Sequence, residues 1–146
     1  MSSYSAEPDS RQGYGYFSEI TTRWMDNDIY GHVNNVVYYS YFDSIANRYL
    51  IEEGGLNIAQ DNIIGFVVSS SCEYKSPVAY PELLEAGFRV NRIGNSSAEY
   101  GIGIFIKGAA IASAYGTFTH VFVDRSKDKS VPIPTKIRAA LEVVLI

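Results

Sequence analysis

The apolar residues of this chain change period once, and that change constrains the fold more than any other feature. After Val36 they fall at Tyr38, Phe42, Ile45, Ala46 and Tyr49, the stripe of a helix buried along one side. Gly54-Gly55 ends that run. From Ile63 onward the apolar residues alternate instead. The alternation is clearest where Ala98, Tyr100, Ile102, Ile104 and Ile106 share one face and Glu99, Gly101, Gly103, Phe105 and Lys107 the other. Turn residues divide this half: Pro77 and Pro81, Gly94-Asn95, and Lys107-Gly108. The predicted order is a strand over 14–24, a long helix, then strands over 63–74, 84–93, 98–107 and 110–123. A short amphipathic helix over 135–145 completes the order. One buried helix wrapped by a curved antiparallel sheet of about five strands is an α+β arrangement. A helix of ~15 residues covers only one face of such a sheet. The other face still carries apolar side chains such as Phe105, which leaves it for a second subunit.

With 146 residues the chain fits a single domain over 13–146, preceded by a loose polar tail over 1–12. Hydrophobic residues make up 47%, which supplies a core and argues against disorder. The net charge of −4 and the lack of a basic stripe exclude duplex nucleic acid as a partner. No apolar run approaches the ~18 residues of a membrane span, and the N-terminus has no signal-peptide core, so the expected location is the cytoplasm. Cys72 is the only cysteine, and no Cys/His cluster has zinc spacing, so no metal or resident cofactor is expected.

Chemistry concentrates between the first strand and the helix. The stretch Asp26-Asn27-Asp28-Ile29-Tyr30-Gly31-His32-Val33-Asn34-Asn35 is an acidic loop with a glycine for a sharp turn and asparagines able to cap the helix. A helix N-terminus presents about four unpaired backbone N–H groups and roughly half a positive charge. Those groups can hold a carbonyl oxygen as it turns negative, and Asp28 beside them can activate water or attack directly. A thioester suits such sparse equipment, because a thiolate with a conjugate pKa of about 8.5 leaves without a strong general acid. Asp26 and Asp28 equally fit plain turn and cap roles. A calcium loop fails, since Tyr30 and Val37 stand where ligands are needed. Of the two histidines, His120 lies mid-strand and reads as structural. His32 adjoins the loop and suits either a backbone bond or substrate contact. No serine-nucleophile elbow or phosphate-loop pattern occurs.

The acidic loop resembles the signature of the hotdog-fold acyl-CoA thioesterases of the 4-hydroxybenzoyl-CoA thioesterase type. The resemblance runs over about residues 14–141. It takes in Arg23, the helix segment Tyr38-Tyr39-Ser40-Tyr41-Phe42-Asp43, and Tyr74-Lys75-Ser76-Pro77. It also includes Arg92-Ile93-Gly94-Asn95-Ser96-Ser97 and Val121-Phe122-Val123-Asp124. It implies hydrolysis of an acyl-CoA to an acid and coenzyme A, with Asp28 as the reacting carboxylate and the N–H near Asn35 polarising the carbonyl. Tyr30, Gly31, His32, Val33 and Asn34 would adjoin substrate, and Ser71 would line an acyl tunnel with Tyr39. Arg92, Asn95, Ser96 and Ser97 fall where relatives contact coenzyme A, although a plain exposed hairpin fits them too. A homodimer or homotetramer with sites at subunit interfaces is implied, and coenzyme A enters as part of the substrate. Two alternatives are a non-catalytic acyl-CoA-binding protein and an enoyl-thioester hydratase. The second pairs an aspartate with a histidine five positions on, whereas Asp28 and His32 are four apart.

Overall fold

The computed structural model describes residues 7–146. Its regular elements are β1 (Tyr16–Thr21), α1 (Asn35–Glu52), β2 (Ile63–Tyr74), β3 (Leu83–Ile93), β4 (Ser97–Ile106), β5 (Ala114–Asp124), β6 (Lys129–Ser130) and α2 (Thr135–Val143). The main sheet is antiparallel in the order β1-β3-β4-β5-β2, with β6 a two-residue addition to β5. α1 lies in its concave face, which is the hotdog arrangement that the resemblance implies.

Asn34 starts α1 by accepting the Val36 N–H on its side chain at 3.0 Å. The helix then buries Tyr38, Tyr41, Phe42, Ile45, Ala46, Tyr49 and Leu50 against Phe88, Tyr100, Ile102 and Phe118 of the sheet. Each such large side chain is worth roughly 1.5–3 kcal/mol of burial. α2 closes one side with Ile137 and Leu141, and the Tyr49 hydroxyl donates to the Ala140 carbonyl at 2.5 Å.

Three expectations about the fold need correction. The first concerns the outer face: Phe105 is fully buried without a second subunit. Tyr14 and Phe17 meet its ring at 5.9 and 5.7 Å, and the Arg11 guanidinium lies 4.9 Å above it. The Tyr14 ring can descend this far because Gly87 and Gly103 pair across β3 and β4 beneath it. A Cβ on either would stand 3.0 Å or less from that ring. The second concerns the tail expected over 1–12. Residues 1–6 lie outside the described residues, but the segment around Ser10 and Arg11 is bound to the sheet. Ser10 bridges to Ile111, Arg11 donates to the Ala110 carbonyl, and Arg11 pairs with Glu85 at 2.7 Å. The first strand is also shorter than predicted, because Trp24–Asp26 turn into a 3₁₀ segment that starts the acidic loop.

β2 forms one edge of the sheet. It is 12 residues long, has Glu73 as its single charged residue, and leaves Phe66, Val67 and Val68 exposed.

Candidate active site

The loop from Asp26 to Asn35 is a narrow hairpin with fixed stems. At its base the Asn34 N–H donates to the Asp26 carbonyl at 2.9 Å, and Asn27 bridges to Val33. The Val33 N–H donates to the Val78 carbonyl at 2.8 Å, and the Tyr80 N–H to the Asn27 side chain at 3.0 Å, so the 78–80 turn holds both stems. At the tip the Asp28 N–H donates to the His32 carbonyl at 2.9 Å and the Gly31 N–H to the Asp28 carbonyl at 3.1 Å. Gly31 adopts φ +85°, which a residue with a Cβ would resist. Asp28 Oδ1 accepts the Tyr30 N–H at 2.8 Å, while Oδ2 takes no bond among the described residues.

The hairpin and the start of α1 border an open cleft of about 410 Å³. It is lined by Asp28, Tyr30, His32 and Val33 of the loop, by Asn35 and Tyr38 of α1, and by Tyr74, Lys75, Ser76 and Pro77 at and after the end of β2. Asn35 is the first residue of an 18-residue helix, and its N–H has no acceptor among the described residues. A half-buried carboxylate and the positive end of a helix therefore border the same space. Tyr38 and Tyr74 meet edge-to-face at 5.1 Å and make the apolar wall, with the Tyr74 hydroxyl donating to the Asn35 carbonyl at 3.2 Å. Burial pushes the Tyr38 phenol up to about 12, and burial raises Tyr74 as well, so both stay neutral at pH 7. Burial also pushes the Cys72 thiol up to about 11, which leaves it un-ionised at pH 7.

Of the residues expected at the site, Asp28, Tyr30, His32, Val33 and Asn35 line this cleft. Asn34 caps the helix, and Gly31 borders a second groove on the far side of the loop, with Trp24, Met25 and Ile29. Ser71 is not brought to the cleft. It lies on the outer face, bonded to Thr117 Oγ1 at 2.8 Å and close to Arg89. The hairpin with Arg92, Asn95, Ser96 and Ser97 is at the other end of the sheet. Tyr74 pairs with Ala114 and Ala114 with Ile104, so Ser97 is seven residues away along β4. At ~3.3 Å per residue that is about 23 Å within one protomer. His120 is fully buried under α1, as a structural histidine should be. Its Nδ1 is 3.0 Å from the Tyr100 hydroxyl, and Nε2 has no partner among the described residues.

Sequence reasoning missed two features. Tyr38 reads only as part of a helical stripe, yet it forms the cleft wall. Asp26 reads as a turn residue, yet it is the most buried carboxylate of the loop at 1% exposure. It accepts from the Tyr41 hydroxyl and the Arg23 N–H at 2.9 Å each, and from Arg23 Nε at 3.0 Å. Burial by itself would raise its carboxyl, but the Arg23 and Tyr41 hydrogen bonds outweigh that and hold it below the usual aspartate range.

A family model described as the thioesterase superfamily matches residues 30–112, which take in the second half of the loop from Tyr30, α1, every cleft-lining residue except Asp28, and strands β2 to β4. The chain belongs to the thioesterase superfamily. Among solved structures, this thioesterase-superfamily chain is similar to the PA5185 protein of Pseudomonas aeruginosa. The two are 52% identical, over 94% of this chain and 96% of the other, with a TM-score of 0.92. It is also similar to the PA2801 protein of the same organism, described as a proposed thioesterase: 28% identity, 85% and 95% coverage, TM-score 0.76. The YsmA protein of Bacillus subtilis is 27% identical over 89 residues, 60% of this chain and 58% of YsmA, so the match spans little more than half of that relative. Among the described residues, no helix is long and apolar enough to cross a membrane.

Proposed function

We propose that this thioesterase-superfamily member hydrolyses an acyl-CoA thioester at the Asp28 cleft. The observation that carries the reading is the meeting of Asp28 and the Asn35 N–H, at the start of α1, on one cleft. The thioester carbonyl points its oxygen at that N–H, and water lies against the unbonded Oδ2 of Asp28. Asp28 takes a proton as the water oxygen bonds to the carbonyl carbon. The negative charge that develops on oxygen meets the N–H and the helix dipole. Collapse expels the thiolate, and the proton returns to sulfur, leaving acid and free coenzyme A. A direct attack by Asp28, with hydrolysis of the resulting anhydride, uses the same atoms.

The same proposal includes a homo-oligomer. β2 is a long edge with one charged side chain and no proline, so it lacks the usual protection against strand pairing. Trp24, Met25, Ile29 and Tyr30 add exposed apolar surface around the loop. Antiparallel pairing of β2 with a second copy about a two-fold axis sets the start of one β2 beside the end of the other. The far end of the second copy, with its Arg92–Ser97 hairpin, then approaches the cleft from outside. That supports a coenzyme A contact made across the interface.

The deciding measurement is thiol release from a panel of acyl-CoA thioesters of varied chain length and ring content. Asp28→Asn should keep the fold and lower kcat about 10²-fold or more. Unchanged turnover in that variant removes Asp28 from the mechanism. No thiol release from any acyl-CoA favours a binding protein, and a 3-hydroxyacyl product favours hydration.

A further inference from the structure

Asp28 itself is held lightly, by one side-chain bond within its own turn. The residue two places before it is held much more firmly. Both Asp26 oxygens are used. Oδ2 accepts from the Tyr41 hydroxyl and the Arg23 N–H, and Oδ1 accepts from Arg23 Nε and, at 2.8 Å, Arg23 Nη2. The Asp26 carbonyl accepts from Asn34, the cap of α1. One residue thus ties the first stem of the loop to the strand side at Arg23, to the second stem at Asn34, and to the body of α1 at Tyr41. The carboxylate and the helix N–H groups that the proposed reaction needs in register lie on the two parts so joined. A plain turn does not need this arrangement. Taking a carboxylate out of water costs several kcal/mol before its bonds offset it, and an apolar side chain would fill the same space at no such cost. The buried charge adds a fixed direction at both oxygens.

We propose that Asp26, with Tyr41 and Arg23, is the positioning clamp of the site: it fixes Asp28 against the N-terminus of α1 and touches no substrate itself. The inference rests on the catalytic reading of Asp28. Tyr41 is buried in α1 and faces the clamp, while the Arg23 side chain is 63% exposed, so each can be altered without opening the cleft.

The test measures kcat and KM for the best acyl-CoA substrate, on Tyr41→Phe, Arg23→Gln, Arg23→Lys and Asp28→Asn, with thermal unfolding of each. Assays run far enough below every midpoint that the folded fraction is complete. Tyr41→Phe should lower kcat about three- to tenfold with KM changed less than twofold, because the substrate walls are intact. Arg23→Gln should lower kcat as much or more, and Arg23→Lys should recover part of the loss. A lowered midpoint with wild-type kcat and KM in both Tyr41→Phe and Arg23→Gln would show a purely structural role and overturn the clamp. So would a raised KM at unchanged kcat. If Tyr41→Phe does not fold, the two exposed Arg23 variants decide. Wild-type turnover in Asp28→Asn would instead overturn the catalytic reading, so the two failures are distinguishable.

Discussion

Mild acid should destabilise this protein through His120 well before its carboxylates are titrated. The imidazole is fully buried, ringed by Tyr100, Phe118 and Phe122 at 5.1, 5.5 and 6.1 Å, and has one polar partner among the described residues, the Tyr100 hydroxyl. Burial pushes its pKa down from 6.5 to about 4. The unfolded chain therefore takes up a proton near pH 6.5, while the folded chain refuses it until about pH 4. Between those values the unfolded state binds more protons, so stability rises with pH and is lost as pH falls. At about 1.4 kcal/mol per pKa unit, the loss between pH 7 and pH 4.5 is about 2–3 kcal/mol. Urea unfolding at the two pH values reads this directly: with m of about 1.5–2 kcal/mol/M, the midpoint should fall by about 1–2 M. Asp26, Glu85 and Asp124 have lowered carboxyls, whose contribution is lost only as pH falls through still lower folded values. The double variant Tyr100→Phe/His120→Phe removes the imidazole without orphaning the Tyr100 hydroxyl, and it keeps the carboxylates. Its stability should be nearly flat from pH 7 to 4.5. An equal loss in the variant and the wild type would refute the assignment to His120.

Three further outcomes are expected. Asn34→Ala removes the bond to the Val36 N–H and should cost about 1 kcal/mol, seen as a thermal midpoint lower by a few degrees. Gly103→Val sets a Cβ within 3.0 Å of the Tyr14 and Phe105 rings, and should destabilise by about 1–3 kcal/mol in urea unfolding. Val68→Lys puts a charge on the exposed edge of β2. Size-exclusion chromatography with light scattering should show a smaller particle than the wild type, and an unchanged mass would count against pairing through that edge.

Legibility in the sequence tracks the range of the interactions involved. α1 and β2 were legible because the signal for each is carried by the residues of one run of chain: a stripe at helical spacing is buried at each of Tyr38, Phe42, Ile45, Ala46 and Tyr49, and the strand expected over 63–74 forms over those residues. β5 starts four residues later than its apolar pattern predicts, because Ala110 to Ser113 continue that pattern while bonding to the N-terminal segment and the 75–76 turn. The cover on Phe105 was not legible. It comes from Arg11, Tyr14 and Phe17, about ninety positions away, and no local pattern encodes a partner at that distance. The acidic loop was legible as a loop, but its two aspartates look alike in sequence. Only the structure separates the half-exposed Asp28 from the buried Asp26, because no local pattern says that Arg23 and the Tyr41 hydroxyl, fifteen residues on, both turn to Asp26. The Arg92–Ser97 hairpin marks another limit: it lies at the opposite end of the protomer from the acidic loop, and spacing along the chain does not reveal that separation.

The N-terminal segment over Phe105 has a practical consequence for work on truncated versions. The Tyr14 hydroxyl donates to the Pro8 carbonyl at 2.6 Å, Arg89 reaches the Gly13 carbonyl at 3.2 Å, and the Ala112 N–H donates to the Asp9 carbonyl at 2.9 Å. Trimming the front of the chain at Gly13, as though it were a dispensable leader, would leave an aromatic ring and a guanidinium facing solvent on the back of the sheet. Low yield or clumping of such a shortened protein would then report a missing lid on the fold, and nothing about its chemistry.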